Sequence, residues 1–172
     1  MMKPLLVNTA LVGLILGSMV CPAQTPSAAL AAEASALSPV AAAIAKLPTV
    51  GATSFNRDAE YFIYLYSASW CGPCRRVMPH IVRFYKETLS KDKRIEIILV
   101  NVDRTEEEAK AYLAHYDADF YTIMGINPEV EKQLPGAYQV RSIPHYIAVD
   151  KNGNRISGGH ASKIFLEVDK LK

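Results

Sequence analysis

Residues 66–79 read YSASWCGPCRRVMP, in which a run of strand-forming residues gives way to two cysteines, Cys71 and Cys74, with only Gly72 and Pro73 between them. Upstream, EYFIYLYSAS (60–69) is short and rich in aromatic and β-branched residues, which predicts a buried strand over 61–66. Downstream, CRRVMPHIVRFYKETLS (74–90) places Val77, Ile81, Phe84 and Tyr85 at helical spacing, so a helix with one apolar face opens at the cysteines. Pro79 sits inside that pattern, where it removes a hydrogen bond and is expected to bend the helix. Cys71 therefore falls where a strand passes into a helix. Unpaired backbone N–H groups and the positive end of the helix dipole favour a thiolate there.

Such a pair can belong to a zinc site, a structural disulfide or a redox couple. A structural zinc site needs four ligands, but the chain has three cysteines in all, and its four histidines (His80, His115, His145 and His160) are scattered without ligand spacing. A disulfide closing so small a loop removes little entropy from the unfolded chain, so a purely structural role is weakly motivated. The redox reading has a positive case: the thiolate is the reactive form, Gly72 and Pro73 let the chain turn, and Cys74 arrives one turn later to resolve a mixed disulfide at Cys71. No metal is expected.

The chain has 172 residues, enough for one domain with a core of its own and a short extension. Its 19 Lys and Arg against 17 Asp and Glu give a formal charge of +2, spread along the chain. Nothing in that pattern calls for a nucleic-acid partner. Arg75 and Arg76 form the densest basic spot near the cysteines and read as a solvated helix face.

The N-terminus, MMKPLLVNTALVGLILGSMVCPAQ, carries one lysine, an apolar run from Leu5 to Val20 and small residues around Ala23. That layout predicts a secretory signal peptide over 1–23, with an uncleaved anchor as the second choice. Cys21 stands where a lipidated cysteine would, but Val20 is bulky where such sites take a small residue. Residues 24–36, mostly Ala, Ser, Pro and Thr, read as a flexible linker, and the domain is expected over 37–172. Export would put the protein in the periplasm or tether it to the outer side of the cytoplasmic membrane. In that compartment disulfides persist unless electrons are supplied.

Further along, SPVAAAIAKL (38–47) reads as a helix capped by Ser38. RIEIILVNVD (94–103) reads as a strand covered on both faces. A helix with an Asp103 or Thr105 cap follows, then a short strand (119–124), a short helix begun by Pro128, a hairpin over 144–159 with Asn-Gly at its turn, and a last helix (162–171). Alternating strands and helices followed by a hairpin describe an α/β fold, a mixed sheet with helices on both sides.

YSASWCGPCRRVMP, together with VRSIPHYIAVDKNG (140–153), resembles the thioredoxin superfamily over roughly Thr49 to Lys172. Trp70, Cys71, Gly72, Pro73, Cys74 and Pro79 stand where that family has them, and Pro144 matches its cis-proline. The resemblance implies a thioredoxin-like fold with Cys71 as nucleophile and Cys74 as resolving thiol. It also implies a substrate-binding surface of Trp70, Gly72, Pro73, Ile143 and Pro144, in which the Ile143 backbone offers a strand edge to a client polypeptide. The long segment between Cys74 and Pro144 implies an inserted βα unit. With the leader, it looks like the exported TlpA and ResA type and the tryparedoxin and nucleoredoxin group. These are thiol-disulfide oxidoreductases that need no cofactor beyond the cysteine pair.

Three positions depart from the pattern. Where thioredoxins hold a buried aspartate and a lysine, this chain has Leu65 and Leu99; where the ResA type has a glutamate, it has Val77. His145, beside Pro144, is the candidate replacement proton relay because its ordinary pKa lies near neutrality. The expected function is reduction of disulfides in client proteins, with electrons from a membrane donor. An oxidase or isomerase, or a redox-locked binding module, is the alternative. No dimerisation segment stands out, so a monomer is expected.

Overall fold

The computed structural model describes residues 37–51 and 54–171, so the predicted leader (1–23) and linker (24–36) lie outside the described residues. Helix α1 (Pro39–Ile44) begins as its sequence dictates: the Ala41 N–H donates to Ser38 Oγ at 3.2 Å, with Pro39 in the first turn. It is shorter than predicted, because the chain leaves the helix in a turn that brings Leu47 into the core.

Strand β1 (Tyr61–Ser67) lies at the centre of a five-stranded sheet. Parallel to it runs β2 (Ile95–Asn101), and parallel to β2 runs β3 (Tyr121–Met124). On the other side, β4 (His145–Asp150) pairs antiparallel with β1, and β5 (Arg155–His160) antiparallel with β4. The order β3-β2-β1-β4-β5 is the expected mixed sheet. The hairpin turns at Gly153, whose φ of +88° suits glycine, while the Asp150 carboxylate accepts the N–H groups of Asn152 and Asn154 at 2.9 and 2.8 Å. The outer edge of β3 is not bare. Thr49 bridges Ile123, and the Val50 N–H donates to the Thr122 carbonyl at 2.9 Å, which blocks an edge open to other strands.

Helix α2 (Gly72–Glu87) contains Pro79 and runs unbroken through it; a 3₁₀ turn, Leu89–Lys91, follows. After β2 comes α3 (Glu106–Tyr116), capped by Thr105 and Glu108 in a reciprocal capping box. Between β3 and β4 lies α4 (Pro128–Gln133), so β3 and α4 form the inserted unit. A 3₁₀ turn (Ala161–Lys163) leads into α5 (Ile164–Lys170).

Alternation along the strands sorts the core into two layers. Phe62, Tyr64, Tyr66, Ile98, Val100, Ile147 and Val149 face α1 and α4. Ile63, Leu65, Ile97, Leu99, Tyr146 and Ala148 face α2, α3 and α5. Because both faces are covered, β1 and β2 read as continuous apolar runs. Among the described residues no helix is long and apolar enough to cross a membrane.

Candidate active site

Cys71 is the N-cap of α2, with extended backbone (φ −82°, ψ 106°), and Gly72 and Pro73 are the first two helical residues. That capping geometry turns the chain from β1 into the helix and points the Cys74 N–H at Cys71 Sγ, 3.1 Å away. The two sulfurs are joined in a disulfide, with the Cα atoms 5.2 Å apart. Their exposures differ in the sense that matters for chemistry: Cys71 keeps 5% of its surface and Cys74 none. Ala68, Val102 and Ile143 pack around the pair. The Ile143–Pro144 bond is cis, and the Ile143 carbonyl oxygen lies 3.7 Å from Cys71 Sγ. Gly72 and Pro73 are exposed, and Trp70 stands 65% exposed beside them. The fold thus gathers Trp70, Cys71, Gly72, Pro73, Cys74, Ile143 and Pro144, drawn from two distant segments, at one end of the sheet.

One residue that holds this site together was read in the sequence only as a candidate helix cap. Asp103 is fully buried, and its carboxylate accepts the Ser69 N–H at 2.9 and 3.1 Å, the Ser69 hydroxyl at 2.8 Å and the Asn101 amide at 2.9 Å. Its own N–H donates to Asn101 Oδ1 at 2.8 Å. Every donor comes from the end of β2 or from the loop that carries Trp70 and Cys71. Asp103 therefore locks the approach to the disulfide onto the rigid sheet. The Thr105 cap took the helix role instead. The available signal was the Asn-x-Asp pattern at the C-terminal end of a strand.

The Thioredoxin-like family model matches residues 58–155. The chain belongs to the thioredoxin-like family. Nucleoredoxin of Xenopus laevis is 26% identical over 116 residues, which cover 67% of this chain and 28% of that protein. The thiol-disulfide oxidoreductase ResA of Bacillus cereus is 31% identical over 85 residues, covering 49% of this chain and 46% of that protein. The chain thus spans less than half the length of these two curated relatives. Among solved structures, tryparedoxin I from Leishmania major superposes with a TM-score of 0.52 at 30% identity, covering 66% of this chain and 76% of that one.

Where thioredoxins carry their buried acid and lysine, this thioredoxin-like chain is hydrocarbon: Leu65 and Leu99 are fully buried and directly paired across β1 and β2. Val77 is partly buried against the same layer. His145 does not replace the missing base. It alternates with Ile147 and Val149, so the register turns it to the α1–α4 layer, opposite α2, where its Nε2 meets the Tyr138 hydroxyl at 2.5 Å. Burial, with His160 opposite on β5, lowers its pKa and so favours the neutral ring. The relay expected from His145 to Cys74 is therefore corrected: the imidazole is committed to Tyr138 on the other face of the sheet. Among the described residues no group of three or more His, Cys, Asp and Glu is placed to hold a metal ion.

Proposed function

We propose that this protein is an exported thiol-disulfide oxidoreductase that reduces disulfides in client proteins. The observation that carries this reading is the Cys71–Cys74 disulfide at the start of α2, with the more accessible sulfur beside the Ile143 carbonyl and the other fully buried. Likeness to ResA, a thiol-disulfide oxidoreductase by name, supports the same reaction class.

In the reduced protein the Cys71 thiolate is stabilised by the Cys74 N–H and by the positive end of α2. It attacks one sulfur of a client disulfide: a Cys71–client bond forms, the client S–S bond breaks, and one client thiolate leaves. Cys74 then attacks Cys71 Sγ, expelling the second client thiolate and closing the Cys71–Cys74 disulfide. The client gains two electrons and the protein loses two. With Leu65, Leu99 and Val77 offering no base, the first client thiolate to depart takes the single proton of Cys74, and the second leaves as a thiolate that takes its proton from water. The Ile143 carbonyl, next to a residue with no N–H of its own, serves as the strand edge that aligns the client.

The direction is argued from the Gly-Pro pair between the cysteines, shared with thioredoxin, whose potential is about −270 mV, against about −120 mV for strongly oxidising relatives. A membrane partner would supply the electrons. Equilibration of the purified domain with glutathione or dithiothreitol should give a potential below about −220 mV; a value above about −180 mV would overturn the reductant reading. Cys71→Ser should abolish turnover, and Cys74→Ser should accumulate a mixed disulfide at Cys71 that is visible by mass spectrometry. A reporter active only outside the cytoplasm, fused after residue 36, should be active in cells and should lose that activity when 1–23 are deleted.

A further inference from the structure

Beside the disulfide, on the α1–α4 side of the sheet, lies a groove of about 310 Å³ that shares Trp70 and Ile143 with the surface around the cysteines. Its walls mix apolar side chains, the Trp70 ring, Val102, Ile126, Val140 and Ile143, with the polar Gln139 and Ser142. Trp70 is 65% and Ile126 48% exposed, so the mouth is open to a ligand. Its inner end is polar. Tyr66, only 3% exposed, turns its buried hydroxyl there toward the Glu131 carboxylate, with no partner at close hydrogen-bond distance among the described residues. The Glu131 carboxylate lies next to that hydroxyl, close enough that its charge joins burial in raising the Tyr66 pKa. One Glu131 oxygen, Oε1, is held by the Val140 N–H at 2.9 Å.

A buried hydroxyl and a carboxylate at the end of a groove, the hydroxyl lacking a close partner, suit a ligand that donates hydrogen bonds to both. What this end offers a ligand is acceptors: the lone pairs of Tyr66 and the oxygens of the Glu131 carboxylate. The carboxylate adds negative charge. An occupant therefore needs an apolar stem for the walls and a donating, preferably cationic, head for the floor. Arg141 also lines the groove but is exposed, and among the ion pairs of the described residues none joins it to Glu131. Ile143 belongs both to this groove and to the shell around Cys71. A side chain in the groove would thus belong to a residue close to the cysteine under attack.

We propose that this groove is a specificity subsite that takes a lysine or arginine flanking the target cysteine of the client; the assignment rests on the oxidoreductase reading. The protein's own formal charge of +2 gives no general attraction for such a client, so a preference would arise locally.

The probes are symmetrical disulfides of the peptide Ala-Xaa-Cys-Xaa-Ala with Xaa as Lys, Leu or Glu, reduced by the dithiol form of the protein. A charge-assisted hydrogen bond corresponds to roughly tenfold or more in kcat/KM, so Lys is expected to exceed Leu by about that factor and Leu to exceed Glu. In Glu131→Gln, which keeps an acceptor for the Val140 N–H, the Lys-to-Leu ratio should fall below about threefold; Tyr66→Phe should lower it as well. Equal rates across the series, or a Lys preference that survives Glu131→Gln, would overturn the subsite and leave the oxidoreductase reading intact. If no peptide turns over, that reading fails, and the groove is judged alone by titrating the oxidised protein with serine analogues of the peptides. The single tryptophan, Trp70, at its rim reports binding by fluorescence: tighter binding of the Lys analogue supports the groove, and equal binding overturns it.

Discussion

Asp103 accepts hydrogen bonds from two residues and, among the described residues, no cation pairs with it, so its function depends on being acceptor-only. Asp103→Asn keeps the shape but points an NH₂ group at Ser69 or Asn101, donor against donor. An unsatisfied buried group of this kind costs about 1–3 kcal/mol. Ser69→Ala removes one donor and leaves the Ser69 N–H bond, so it should cost less, about 1 kcal/mol. Urea unfolding checks the order, and equal effects would show that Asp103 does not depend on the identity of its donors. Legibility at this scale follows sequence distance. Cys71, Cys74 and Pro144 could be read because each sits in a local motif, whereas the Ser69–Asp103 contact and the Tyr66–Glu131 pair join residues that only the folded sheet brings together. His145 was misplaced for a related reason: a strand's alternation is visible in sequence, but which phase faces the active-site helix is decided by register.

Helix α2 shows how an element tolerates a residue that should break it. Pro79 has no N–H for the Arg75 carbonyl, the partner it would otherwise serve. That carbonyl is satisfied from outside the helix: the Tyr116 hydroxyl, at the end of α3, donates to it at 3.2 Å. The proline therefore becomes a docking point between the two helices. Tyr116→Phe should cost about 1 kcal/mol in the natural chain. In a Pro79→Ala background the restored N–H at position 79 takes the carbonyl, and the same change should cost less than half as much. A double-mutant cycle measures the difference, and additive effects would sink the idea. Most elements were legible from periodicity and caps, but this compensation was not, because the sequence announces the breaker without its remedy.

Across the whole molecule, the buried Glu96 and the partly buried His145, on opposite ends of the α1–α4 layer, pull stability in opposite directions with pH. Burial raises the pKa of Glu96 above 4.5, outweighing the Asn56 N–H that its carboxylate accepts at 3.0 Å. The folded state then holds a proton that the unfolded chain releases, so stability is fully present below pH 4.5 and is lost as pH rises through the folded value. His145 is the reverse: its folded pKa lies below 6.5, so the unfolded chain takes up a proton first, and stability is present above pH 6.5 and lost as pH falls toward the folded value. The Glu96 slope sets in above pH 4.5 and the His145 slope below pH 6.5, and the two are opposite in sign. Each variant unmasks the other group. Glu96→Gln, which retains an acceptor for Asn56, should be more stable than the natural protein at pH 7 and should lose stability on acidification from pH 6.5. His145→Gln, which keeps a polar atom for the Tyr138 hydroxyl, should instead become more stable as pH falls toward 4.5. Thermal unfolding midpoints at half-unit pH steps decide the matter: parallel profiles for the two variants would mean that neither group is linked to folding as the sheet register implies, whereas crossing profiles would tie the acid behaviour of the fold to these two strand positions and not to the disulfide.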